Sequence, residues 1–151
     1  MFQIFYQINI DLLEDILTGM NFEFLFYESI HKIENLLHIE KKYFSIILTD
    51  DEFIRNMNDG YRNKDYATDV ISFPADDVHI EAVDNKNDLG EIYISVETAV
   101  RQADNFAVSI EDELKRLIVH GVLHLMGFDH EKSPDDEKIM TEIESFILSQ
   151  I

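Results

Sequence analysis

A chain of 151 residues with 12 Lys and Arg against 31 Asp and Glu carries a formal charge of -19, which repels polyanions at long range and argues against a generic basic nucleic-acid binder. It has no cysteine, so disulfides, thiolate metal sites and a Cys nucleophile are excluded. Its length points to one domain over residues 1–151, with a hydrophobic fraction of 46% that is ample for a core.

In chain order, Phe2, Ile4, Tyr6 and Ile8 alternate with polar residues and predict an opening strand. This start carries no basic leader, and no run approaches the ~18 consecutive apolar residues of a membrane span, so a soluble, cytoplasmic protein is expected. Phe26, Ile30, Ile33 and Leu37 recur at helical spacing, and Tyr43 to Thr49 is a compact β-rich run. Asp50, Asp51 and Glu52 suit the cap and first turn of a second helix running toward Gly60, with Phe53, Ile54 and Met57 inward. Thr68 to Pro74 reads as a short strand stopped by proline, and Leu89 to Ser95 as another. Between them the acidic stretch from Ala75 to Asp88 has no clear period and is long for a loop.

Helical signals dominate from Val96. Ser109 opens a Ser-x-x-Asp cap ending at Asp112, followed by Leu114, Leu117, Ile118, Gly121 and Leu125 on one face. Ser133 and Pro134 start a last helix whose buried stripe is expected to be Ile139, Ile143, Phe146 and Ile147. The order β-α-β-α-β-β-α-α-α predicts an α+β layer fold: a small mixed four-stranded sheet packed with about five helices.

Three histidines occupy His120-Gly-Val-Leu-His124-Leu-Met-Gly127-Phe-Asp-His130. His120 and His124 fall four apart on one helical face, and Gly127 sits where a helix needs a left-handed residue to end. The turn there allows His130 to come back toward the other two. Three neutral imidazoles leave Zn²⁺ its full charge and one open position, the layout of a catalytic rather than a structural site. At such a position water ionises near ~7 and becomes a usable nucleophile. Asp129 is a candidate for orienting an imidazole. The same spacing occurs in metzincin proteases, whose general base is a Glu directly after the first His. Here that position is Gly121, which disfavours peptidase chemistry.

The block HGVLHLMGFDH resembles the signature of the YbeY family of bacterial rRNA-maturation endoribonucleases. A second block, from Met57 through Arg62, Lys64, Thr68 and Asp69 to Pro74, is similar to that family's L-N-x-x-Y-R-x-K-D-x-x-T-D-V-L-S-F-P. A third, Leu89 to Ser95, resembles L-G-D-I-x-I-S, with Glu91 in place of Asp. The resemblance implies a small mixed sheet flanked by helices in a cytoplasmic, zinc-dependent, single-strand-specific endoribonuclease. Its implied role is in maturation of the 3′ end of small-subunit (16S) rRNA and in ribosome quality control. Implied partners are single-stranded rRNA and the ribosome or a ribosomal protein, with neither DNA nor membrane. It assigns zinc to His120, His124 and His130, and a basic role in activity to Arg62. A guanidinium at Arg62 suits a phosphate, with Arg55 and Lys64 making the segment a local basic patch. The alternative is a surface Arg62 paired with Asp59 or Asp65. Asp69 is expected only to shape the turn into its strand. A peptidase and a non-enzymatic ribosome-assembly module braced by the metal are the rival readings.

Overall fold

The computed structural model describes residues 1–19, 21–75, 86–129 and 133–151. Four strands, β1 (Phe2–Gln7), β2 (Tyr43–Thr49), β3 (Val70–Pro74) and β4 (Asp88–Ser95), form a sheet of order β1-β2-β4-β3. The β1–β2 and β2–β4 pairs are parallel and β3–β4 is antiparallel, so the sheet is mixed as expected. Six described helices surround it: α1 (Ile10–Ile16), α2 (Phe22–Leu37), α3 (Asp51–Arg62), α4 (Val96–Phe106), α5 (Ile110–Leu125) and α6 (Pro134–Gln150). The architecture is α+β. The acidic stretch read from the sequence falls largely on residues 76–85, outside the described residues.

The helix starts are set by side-chain caps. Asn9, Asn21, Asp50, Ser95, Ser109 and Ser133 each accept a hydrogen bond from a backbone N–H in the first turn. Such a cap stabilises a helix by about 1 kcal/mol. The short α1, absent from the sequence reading, depends on Asn9 and on burial of Leu13 and Leu17.

Alternation along each strand gives the sheet two different faces. Phe44, Ile46, Leu48, Ile92 and Ile94 point toward α2, α5 and α6, and are almost fully buried there. Helix α5 lies at the centre of this layer, with Leu114, Leu117, Ile118, Val119, Val122 and Leu123 nearly inaccessible. Each such side chain contributes roughly 1.5–3 kcal/mol by leaving water, which makes α5 a rigid platform. On the opposite face α3 covers Tyr93 and Phe73 with Phe53 and Tyr61: the Phe53–Tyr93 ring centroids are 6.2 Å apart, and those of Tyr61 and Phe73 5.2 Å.

The last helix is rotated from its expected phase. Met140 and Ile147 are buried and Ile143 packs against the core, whereas Ile139 and Phe146 are 48% and 59% exposed. The reason is that Glu144 lies on the same face as Met140, Ile143 and Ile147, and that face meets α5.

Candidate active site

Two turns of α5 carry His120 and His124 on one face, as the spacing predicts. Their ring centroids are 4.6 Å apart and their Nε2 atoms 3.0 Å apart. The Nδ1 of His120 meets the carboxylate of Glu144 on α6 in a short contact, with both side chains mostly buried. A carboxylate on Nδ1 holds the proton there and leaves Nε2 with a bare lone pair directed at His124. Two Nε2 atoms bound to one tetrahedral zinc at ~2.0–2.1 Å lie about 3.3 Å apart, so the pair fits a shared cation.

Helix α5 ends in a Schellman motif. The N–H of Gly127 donates to His124 O at 3.0 Å, and that of Phe128 to Leu123 O at 3.1 Å. Gly127 adopts a φ of +94° with open space around its α-carbon, so glycine is required here by backbone conformation alone. The turn leads through Phe128 and Asp129, which line a cleft together with both histidines. His130, the third ligand expected from the sequence, lies outside the described residues. Among the described residues no group of three or more His, Cys, Asp or Glu is placed to share an ion.

The other wall of the cleft is the C-terminal end of α3, the segment after it, and β3. Asn63, in the left-handed region at φ 55°, turns the chain out of the helix. Asn58, 2% exposed, then donates from Nδ2 to Tyr66 O at 2.9 Å, while its own carbonyl accepts from Lys64 N at 3.2 Å. These two bonds set the path of the segment that bears Arg62, Lys64 and Tyr66, all exposed and all lining the cleft. Asp69 closes the segment by accepting from Val70 N at 2.8 Å, consistent with a turn-shaping role. Beyond it Val70, Ser72 and Pro74 face the cleft, and Ser72 Oγ donates to Gly121 O at 3.3 Å.

The cations of this region differ in availability. Asp65, one of the partners considered for Arg62, instead accepts from Arg55 Nε at 2.7 Å and Nη2 at 3.1 Å. Arg55 holds the Asp65 carboxyl below its ordinary range. Arg55 is thereby neutralised and does not line the cleft, contrary to its expected place in a basic patch. Neither Arg62 nor Lys64 has an acidic partner among the described residues. Arg116 of α5 also lines the cleft, but it grips the buried Glu113 at 2.6 Å and lies 3.5 Å from Asp69. The bond to Glu113 raises the Arg116 pKa further, so this cation stays charged and committed.

The cleft between the walls has a volume of about 1080 Å³. It is large enough for a nucleotide and its flanking phosphates. The family model described as Endoribonuclease YbeY matches residues 13–151. The chain belongs to the YbeY family. Members named Endoribonuclease YbeY include one from Aquifex aeolicus, 47% identical over 71% of this chain and 69% of its own length. Another, from Sulfurihydrogenibium, is 40% identical over 80% of this chain and 77% of its length. The solution structure of TM1509 from Thermotoga maritima superposes with a TM-score of 0.63 at 27% identity, covering 98% of this chain and 87% of the other. YbeY membership accounts for the three sequence blocks: the end of α5 and the segment from α3 through β3 line the cleft, and β4 supports both by pairing with β3 and packing its Ile92 against α5 at Gly121.

The fold also gives Gly121 a reason. A Cβ at that position would lie 2.6 Å from Ile92 Cγ2, because α5 rests directly on β4 there. The Glu that a metzincin needs after its first histidine has no room here.

Glu144, Arg116 and Asn58 were not found by sequence reasoning. Glu144 lies 24 positions beyond His120 on a separate helix, and no local spacing rule relates the two. The one available signal was an acidic residue in phase with Met140 and Ile147.

Proposed function

We propose that this chain is a zinc-dependent endoribonuclease specific for unpaired RNA, maturing the 3′ end of small-subunit (16S) rRNA and serving ribosome quality control. It would act as a single domain over residues 1–151, in the cytoplasm, on rRNA presented by the ribosome or a ribosomal protein. DNA and membranes are not its partners in this reading. The observation that carries it is the facing pair of His120 and His124 Nε2 atoms at 3.0 Å in one cleft with Arg62 and Lys64, which have no acidic partner among the described residues.

His120, His124 and His130 are the proposed zinc ligands. When bound, the ion supplies Lewis acidity at a phosphoryl oxygen and lowers the pKa of water in the site. Glu144 keeps the His120 proton on Nδ1, so that Nε2 remains a donor to the metal. Arg62 holds the phosphate through paired N–H groups and offsets negative charge as it grows there. Lys64 provides a second, more flexible phosphate contact. The charge of -19 opposes approach of free RNA, which favours delivery by a partner.

The test joins metal analysis of the purified protein to cleavage assays on single-stranded RNA, duplex RNA and casein. The expected result is about one equivalent of zinc and cutting of single-stranded RNA alone, faster when the rRNA is embedded in ribosomal particles. Cleavage of casein, or RNA cleavage indifferent to removal and return of zinc, would overturn the reading.

A further inference from the structure

We infer that Tyr66 is a stacking platform for an unpaired nucleobase, placed on the rim of the cleft beside the phosphate-binding cations. This rests on the reading of the chain as a single-strand endoribonuclease and names how that site would engage its substrate. Tyr66 is 55% exposed and lines the cleft, and among the described residues its ring has no aromatic partner. Its backbone, in contrast, is held at both ends. Tyr66 N donates to Lys64 O at 2.9 Å, and Tyr66 O accepts from the buried Asn58 amide at 2.9 Å. A large apolar surface on a pinned backbone loses little conformational freedom when a base settles on it.

The charge distribution gives such a platform a purpose. Arg62 and Lys64 are the cleft cations without an acidic partner among the described residues, since Arg116 is bound to Glu113 and Arg55 to Asp65. Two neutralised phosphates correspond to a salt slope of only about -1.4 for a single strand, too shallow to hold RNA against the chain's own field. Stacking is insensitive to salt and to base identity, and requires the base to be unpaired. An aromatic ring two residues from Lys64 and four from Arg62 therefore adds affinity for single strands where electrostatics is weak.

The experiment follows affinity for a short phosphorothioate-linked single-stranded RNA, which resists cleavage, across a salt series, with kcat and KM measured on the normal RNA. Tyr66→Ala should weaken binding and raise KM roughly 5- to 150-fold, the span of one base–aromatic stack, with kcat and the salt slope unchanged. Tyr66→Phe should behave as the parent. Because the chain has no tryptophan, Tyr66→Trp introduces a single indole whose emission should be quenched by the RNA and not by an abasic strand of equal length. An unchanged KM in Tyr66→Ala, a flattened salt slope, or equal quenching by the abasic strand would overturn the platform while leaving the endoribonuclease reading in place. A parent protein that neither binds nor cuts the RNA would overturn both.

Discussion

The two walls of the cleft are built in opposite ways. The histidine wall is a central helix locked by burial, where His120 is braced by Glu144 and the surrounding side chains are among the least exposed in the molecule. The Arg62 wall is the free end of a helix that covers only part of the sheet, and its functional candidates are exposed. Ligands for an ion need positions fixed to fractions of an ångström, which a packed helix provides. Groups that grip RNA need charge not already neutralised by the protein, which a solvent-facing segment provides. Substitutions in the first wall should therefore disturb metal and stability together, and those in the second should disturb substrate handling alone.

The largest effect is expected from His120→Ala or His124→Ala, each losing zinc occupancy and all RNA cleavage, with His130→Ala behaving alike. Metal analysis and a cleavage assay measure this directly, and full zinc with normal turnover in any of them would remove that residue from the site. Arg62→Ala should lower the cleavage rate by about 10²–10³, on the order of 2.7–4 kcal/mol in the barrier, if it acts as an oxyanion-hole donor does. Its melting temperature and zinc content should match the parent's. A loss of zinc would erase the distinction between the walls.

Glu144→Ala should weaken metal binding about 10- to 100-fold, the usual cost of removing a carboxylate from a ligating histidine. Competition with a chromogenic chelator reads this separately from activity, and unaltered affinity would show the contact to be structural only. For Gly121→Ala, the added methyl would lie 2.6 Å from Ile92 Cγ2 in a fully buried contact. Overpacking of this kind costs about 1–3 kcal/mol, against roughly 1 kcal/mol gained in helix propensity. A net loss in a urea melt is expected, and Gly121→Ala combined with Ile92→Val should recover part of it.

The smallest effect concerns the anchor of α3. Burial raises the Asp51 pKa, but hydrogen bonds from Thr98, Ser95 and Arg101 outweigh it, so the folded value lies below the ordinary 3.8. A carboxyl depressed on folding adds stability that is full above the unfolded value and is lost as pH falls through the folded one. Asp51→Asn should therefore cost about 1 kcal/mol at neutral pH, with the gap to the parent closing below about pH 4. Thermal melts across that range check it, and a gap constant down to pH 2 would exclude the carboxylate as its source.

Much of the fold was legible because local signals agreed. The caps at Asp50, Ser109 and Ser133 and the stripe from Leu114 to Leu125 all stand where the sequence reading placed them. Helix α1 was missed because seven residues give too little periodicity to stand out. In α6 an apolar count favoured Ile139 and Phe146, yet both face solvent. That helix packs by the phase that brings Glu144 to His120, and a hydrophobic pattern does not register a part-buried carboxylate.

By itself the sequence determined the element order apart from the short α1, the pairing of His120 with His124 on one helical face, and the turn at Gly127. Each depends on neighbours within a few positions, whose geometry the helix period dictates. Only the tertiary structure decided which charges remain available. Arg55 and Arg62 look alike in sequence, but one meets Asp65 and the other opens onto the cleft. It also decided that Glu144 supports His120, that Asn58 holds the Tyr66 segment, and that α5 rests on Ile92 too closely for any side chain at Gly121. These contacts join segments whose approach is set by how helices and sheet close around the shared core, and no local rule of spacing specifies it.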